Sequence, residues 1–228
     1  MSLILQIETA TTVCSVALSE NGSVLAYKEV EQRNVHAEVI TVFIDGILKE
    51  AGKQYQDLKA IAVSSGPGSY TGLRIGISVA KGLCFALDIP LIALETLEAM
   101  TDGLIAQNSF NSDVLLCPMI DARRMEVFTA VFDGNGNRIK PTSAEIIDES
   151  SFTDLLQTNK MIFFGDGAVK CSEALGENPN VQIISGFLNS ARYLTKRVTE
   201  KYLANDFEDI AYFEPYYLKD FIAGKKSV

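Results

Sequence analysis

The chain opens with an apolar run, Leu3 to Ile7. The compact polar stretch Glu8-Thr9-Ala10-Thr11-Thr12 closes it, and a second apolar run, Val13 to Leu18, follows. Asn21-Gly22 offers two residues that tolerate positive φ, and Val24 to Val30 comes next. This spacing predicts strand, turn, strand, hairpin, strand. A helix is expected after Asn34, a suitable N-cap, because Val35, Val39, Val42, Phe43, Gly46 and Ile47 recur at helical steps and Gly52 can close the end. Leu58 to Ser64 reads as a strand and Gly66-Pro67-Gly68-Ser69 as an enforced turn. A helix then starts near Thr71, with apolar positions Leu73, Ile77, Ala80, Cys84 and Leu87. Pro90 to Ala93 reads as a short strand, and Thr96 as the cap of another helix.

The polar stretch Gln107 to Asp113 is loop-like and marks a boundary, giving lobes 1–106 and 107–228. Beyond it the opening pattern returns. Val114 to Ile120 and Met125 to Phe132 read as strands around the turn Asp121-Ala122-Arg123-Arg124. Asp133-Gly134-Asn135-Gly136 reads as a hairpin, and a third strand follows over 138–142. Glu8 and Asp121 end corresponding strands half a chain apart, which points to an internal duplication. The remainder reads as a helix from Ser151 to Leu156, a strand from Met161 to Phe164, a turn at Gly165-Asp166-Gly167, a strand from Val181 to Ile184 and a helix from Ser190 to Leu203. Such alternation means an α/β fold. The tail, about 206–228, is expected to pack back on the first lobe.

A formal net charge of −9 over 228 residues argues against unaided binding of RNA or DNA. The opening residues lack a basic start and read as a strand, not a signal peptide. No stretch approaches the roughly 18 apolar residues of a membrane span, so a cytoplasmic protein without a membrane partner is expected. Cys14, Cys84, Cys117 and Cys171 are widely spaced, with no C-x-x-C pair. The first three sit in apolar stretches and read as small buried residues in a reducing compartment.

The run Gly66-Pro67-Gly68-Ser69-Tyr70-Thr71-Gly72-Leu73-Arg74-Ile75-Gly76 lies between a strand and a helix. Such a turn can aim backbone N–H groups at a phosphate, or serve only to bring the helix close. It is not a Walker A loop, because Leu73-Arg74 stands where Lys and Ser/Thr are required, and Thr71 occupies the third glycine of a dinucleotide fingerprint. Gly72, Gly76 and Ala80 form a small-residue stripe beside the apolar positions, suited to core packing or to an approaching helix. His36 is the single histidine. A metal pair on its helix face would need a second ligand four residues on, where Ile40 stands. Glu8, Asp121 and Asp166 sit at strand ends or turns, places that suit ligands and ordinary turn acids alike. No Gly-x-Ser-x-Gly elbow accompanies them.

At Gly66 to Gly76 the sequence resembles the TsaB (YeaZ) family, whose hallmark is Gly-Pro-Gly-Ser-aromatic-Thr-Gly-Leu-Arg-x-Gly. Tyr70 fills the aromatic place. The opening Ile4 to Thr9 is similar, although relatives usually carry Asp where Glu8 stands. His36-Ala37-Glu38, Ile120 to Val127 and Pro215-Tyr216-Tyr217-Leu218 agree as well. The resemblance implies a duplicated, two-lobe actin-like and Hsp70-like fold (ASKHA, ribonuclease H-like), with mixed sheets flanked by helices. It implies a role in forming N6-threonylcarbamoyladenosine at position 37 of tRNA. There the family member pairs with a metal-bearing TsaD-like paralogue that transfers the threonylcarbamoyl group, and a TsaE-like ATPase joins them. This chain would then be a non-catalytic subunit with no metal, no protease chemistry and no tightly bound cofactor. tRNA would be reached only through the complex.

The alternative is a small ATP-dependent kinase-like enzyme on the same fold. That class carries Asp-x-Gly-Thr early in each lobe. Here Glu8-Thr9-Ala10-Thr11 and Asp121-Ala122-Arg123-Arg124 lack the glycine that admits a phosphate. Glu8, Thr9 and Asp121 are the candidate nucleotide contacts, and the heterodimer interface is the candidate place for a bound nucleotide. The helices at about 35–51 and 71–87 carry more apolar and small residues than one buried stripe needs. His36, Val39, Ile40, Phe43, Ile47, Gly72, Leu73, Gly76, Ile77 and Ala80 are therefore the expected partner interface. The same face is expected to form a homodimer when the chain is alone.

Overall fold

The computed structural model describes residues 2–176 and 178–219. Each half builds one five-stranded mixed sheet. The first contains β1 (Leu3–Glu8), β2 (Val13–Glu20), β3 (Ser23–Glu31), β4 (Ala60–Gly66) and β5 (Leu91–Glu95), in the order β3-β2-β1-β4-β5. The second contains β6 (Leu115–Asp121), β7 (Glu126–Asp133), β8 (Arg138–Ile146), β9 (Met161–Phe164) and β10 (Val181–Ile184), in the order β8-β7-β6-β9-β10. In both, the first strand runs antiparallel to the second and parallel to the fourth. The two halves therefore share one topology, and Glu8 and Asp121 end equivalent strands. β8 extends past the expected end at residue 142.

The helices differ between the halves. In the first, α1 (His36–Glu50) and α2 (Tyr70–Leu87) cover one face of the sheet. α1 buries Ile40, Ile44, Ile47 and Leu48, each contributing about 1.5–3 kcal/mol relative to exposure. In the second, among the described residues, the one-turn helices α4 (Thr153–Leu156) and α5 (Ser172–Leu175) and the 3-10 turn Val169–Cys171 occupy the matching connections. The N-caps differ from expectation. Val35 precedes α1, with Asn34 left-handed at φ 63°. Glu95 precedes α3 (Thr96–Gln107), so Thr96 is its first helical residue.

Between the sheets lies a shared layer. Leu97, Met100 and Leu104 of α3 pack on the second sheet, and Ala99 on the first. The expected single helix 190–203 is a short 3-10 helix, Ala191–Leu194, running into α6 (Thr195–Leu203). Leu194 and Val198 pack on Ile4, Ala60, Ala62, Ile92 and Leu94 of the first sheet. A division at residue 106 thus falls inside α3, and α6 belongs spatially with the first sheet. The tail runs along the first lobe as far as Tyr217, and Lys219 pairs with Glu126 of β7 in the second. The Glu208 N–H donates to the Leu91 carbonyl at 2.9 Å and the Tyr216 N–H to the Ser65 carbonyl at 2.8 Å. Residues 220–228 lie outside the described residues. All four cysteines are buried and free. Among the described residues no helix is long and apolar enough to cross a membrane.

Candidate functional site

The glycine-rich run is a clasp between α2 and the turn after β1. The Ser69 N–H donates to the Ala10 carbonyl at 2.7 Å, and the Ser69 hydroxyl accepts from the Gly72 N–H at 3.2 Å, capping α2. A Cβ at Gly68 would overlap the Ala10 carbonyl, one at Gly72 the Thr9 carbonyl, and one at Gly76 the Thr9 hydroxyl. The small-residue stripe thus packs on the chain's own first turn, which leaves no room there for a phosphate or a partner helix. His36 belongs to the same knot. Its Nε2 lies 3.1 Å from the Thr11 carbonyl, and the side chain is buried.

The two strand-end acids have opposite surroundings. Glu8 and Thr9 are fully buried. Glu8 Oε1 accepts from the Ala10 N–H at 2.6 Å. Burial pushes its carboxyl up to about 7, against the opposing pull of Ala10, Ser64, Asn189 and Thr9. Neither Glu8 nor Thr9 is available to contact a nucleotide from solution, which corrects their candidacy. Asp121 is exposed. Its Oδ1 accepts from the Arg123 N–H at 2.8 Å and pairs with Lys170. Among the described residues no three His, Cys, Asp or Glu side chains gather as a metal site would require.

The expected interface set needs a similar correction. His36, Ile40, Ile47, Gly72, Leu73, Gly76, Ile77 and Ala80 are buried within the chain, because α1 and α2 turn these positions onto the sheet and the first turn. A charge at Ile40 or Ile77 would test folding, not pairing. Val39 and Phe43 are half-buried. What the two helices leave outside is a different side. On α1 it is Val39, Val42 (64% exposed) and Phe43, spaced three and four apart. On α2, Ile75, Val79 and Leu83 are half-buried, and Phe85 is 85% exposed. Gly82, not Gly72 or Gly76, is the glycine of α2 that faces open space. Val39, Phe43, Ile75, Val79 and Leu83 pack against the core, so the exposed Val42 and Phe85 mark the candidate docking surface.

The tail adds groups that the sequence reading did not place. Tyr217 lies 4.9 Å from Tyr70, ring centre to ring centre. The Arg74 guanidinium sits 4.0 Å over the Tyr70 ring, and Arg74 Nε donates to the Tyr217 hydroxyl at 3.0 Å. A Cβ at Gly66 would lie 2.8 Å from the Tyr216 carbonyl oxygen. The aromatic and arginine of the glycine-rich run therefore hold the Pro-Tyr-Tyr-Leu segment. Two aromatic-rich motifs in one chain are a usable hint of contact, but sequence spacing does not pair them. Asn189, buried beside Glu8, carried no sequence signal at all.

Comparison with known proteins matches this geometry to a family. Residues 29–212 match the family model described as TsaD: tRNA N6-adenosine threonylcarbamoyltransferase. The chain is 31% identical to the tRNA threonylcarbamoyladenosine biosynthesis protein TsaB of Escherichia coli, over 98% of this chain and 97% of that one. A Pseudomonas aeruginosa protein, described as similar to peptidase YEAZ, superposes with a TM-score of 0.84 at 25% identity, covering 96% of this chain and all of that chain. The ethanolamine utilization protein EutJ of Carboxydothermus hydrogenoformans shares the fold at a TM-score of 0.52 and 12% identity, over 86% of this chain and 90% of its own. The two mixed-sheet lobes are those of the actin-like class, and the chain belongs to the TsaB (YeaZ) family.

Proposed function

We propose that the chain is a non-catalytic subunit in the synthesis of threonylcarbamoyladenosine in tRNA, acting in the cytoplasm by pairing with a TsaD-like paralogue, to which a TsaE-like ATPase is added. The observation that carries the reading is the apolar outer side of α1 and α2, with Val42 64% and Phe85 85% exposed after the same helices have filled the core. An apolar surface left after internal packing is what a binding partner covers. A paralogue with the same fold would offer a similar face, so the pair would be pseudo-symmetric, and the chain alone would pair with itself. The sealed Glu8 turn supports the non-catalytic part of the reading.

The test is to substitute Val42→Glu and Phe85→Glu together and compare folding, homodimerisation, capture by the paralogue and paralogue-dependent tRNA threonylcarbamoylation. Both side chains are exposed, so the fold should persist while an uncompensated charge in the interface weakens pairing by several kcal/mol, about 3–5. A folded double variant that still pairs and supports modification would place the interface elsewhere. ATP turnover by the purified chain alone would favour the kinase-like reading instead.

A further inference from the structure

A cleft of about 630 Å³ lies at the start of β7, within the range of about 300–1,000 Å³ that ligand pockets occupy. Its apolar lining is Met125, Ile147 and Ala174, and its acids Asp148, Glu149 and Glu173 are all exposed. The Ile147 N–H donates to the Met125 carbonyl at 2.9 Å, which holds the turn that follows against β7. Asp148 Oδ1 is taken up by Ser150 and Ser151. Lys170, the cation of the lining, pairs with Asp121 and donates to the Glu126 carbonyl at 2.7 Å. Lys219 pairs with Glu126, so Glu149 and Glu173 have no ion-pair partner among the described residues. Apolar lining beside unpaired acids suits a segment that is apolar and basic.

The chain's own tail is delivered to this cleft. Tyr217 still lies on Tyr70 of the first lobe, whereas Lys219 pairs with Glu126, the residue after Met125. Beyond the described residues the sequence continues Phe221-Ile222-Ala223-Gly224-Lys225-Lys226-Ser227-Val228, with two large apolar residues, then two cations, and no acid. Phe221 follows Lys219 by two residues, about 7 Å of extended chain, and Lys225 by six, about 20 Å. We propose that the cleft is the docking site of residues 221–226 of this same chain. Phe221 and Ile222 meet Met125, Ile147 and Ala174, and Lys225 and Lys226 meet Glu149 and Glu173. The tail is then a strap across both lobes, fixed to the first at Tyr217 and to the second at the cleft. Its tether at Lys219 makes docking intramolecular, and the effective concentration so gained favours it over a free peptide of the same composition.

The test places a nitroxide on the 228-residue chain through Ser227→Cys; the four native cysteines are buried and escape the label. The methyl signals of Met125 and Ala174 should lose most of their intensity and regain it when the nitroxide is reduced. Glu149→Lys with Glu173→Lys changes only exposed side chains, so the fold should persist while the broadening is lost. Adding Lys225→Glu and Lys226→Glu to that variant should restore it, which a merely structural effect of the first pair would not. Undiminished methyl signals in the nitroxide-bearing chain with its acids intact would overturn the strap. So would broadening that survives the charge reversal. Mixing methyl-labelled chain that lacks the nitroxide with unlabelled chain that carries it tests the remaining occupant. Equal broadening in that mixture would mean that a second copy fills the cleft, and would overturn the intramolecular assignment.

Discussion

In the first lobe the turn after β1 disappears beneath α2; in the second lobe the equivalent turn after β6 has no long helix over it. The two turns leave the same place in the same five-stranded sheet. In one, Glu8 and Thr9 are fully buried, and Gly68, Gly72 and Gly76 let the start of α2 sit against Thr9 and Ala10. In the other, Asp121, Arg123, Arg124 and Met125 are exposed. The difference lies in the connections. An 18-residue helix follows β4, whereas short turns and the four-residue α5 follow β9. Duplication preserved the sheet, and unequal connections gave one lobe a closed core with an outward-facing helical side. The other lobe was left open at its strand ends.

The largest test of this contrast is at the contact itself. Gly72→Val places a side chain against the Thr9 carbonyl, which is backbone and cannot swing away. The loss should be about 3 kcal/mol or more, at the upper end of overpacking, read from the urea midpoint. Gly82 lies in the same helix with nothing within 4 Å of its Cβ position. Gly82→Ala should raise stability by about 0.5–1 kcal/mol, because only the helical cost of glycine is removed. Equal losses at both sites would mean that α2 is simply intolerant of side chains and does not clasp the turn.

A smaller effect is expected where the tail closes over the clasp. Tyr217 stacks near Tyr70 and accepts from Arg74 at a partly exposed site. Tyr217→Ala should cost about 0.5–1.5 kcal/mol, the usual range for an aromatic pair. It should also raise amide exchange at Tyr216, whose N–H donates to Ser65. No change in either would leave the tail resting on its backbone contacts alone.

The duplication was legible because strand–turn–strand–hairpin patterning survives in both halves, down to the acid that ends each first strand. The side of each helix that faces inward was not. α1 carries apolar residues on more than one stripe, so Ile40 and Val42 look alike in sequence, yet one is 1% exposed and the other 64%. The glycines of α2 fit a partner helix and an intrachain turn equally well until the turn's position is known. The buried polar side chains of the first sheet were hidden for another reason. Gln6, Ser15, Ser19 and Ser64 are polar residues within apolar strands; Gln6 and Ser19 pair with each other across 13 residues, Gln6 and Ser15 with groups 189 and 176 residues away, and Ser64 with none. Local periodicity does not report contacts of that range.

The smallest effect belongs to the open turn. Arg123 and Arg124 are both left-handed, at φ 73° and 51°, a conformation that costs a non-glycine residue roughly 1–2 kcal/mol. The turn is held by the Arg123 N–H on Asp121, by the Glu126 N–H on the Arg123 carbonyl at 3.1 Å, and by Lys170 on the Glu126 carbonyl at 2.7 Å. None of these contacts uses an arginine side chain. Arg124→Gly therefore relieves the left-handed strain and leaves the hydrogen bonds intact. Glycine's greater freedom in the unfolded chain offsets part of the gain. A rise of about 0.5 kcal/mol in unfolding free energy is expected, with pairing through α1 and α2 unchanged. A clear loss of stability would mean that the Arg124 side chain is held in the folded chain, and that the second turn is closed by its own side chains as firmly as the first is closed by α2.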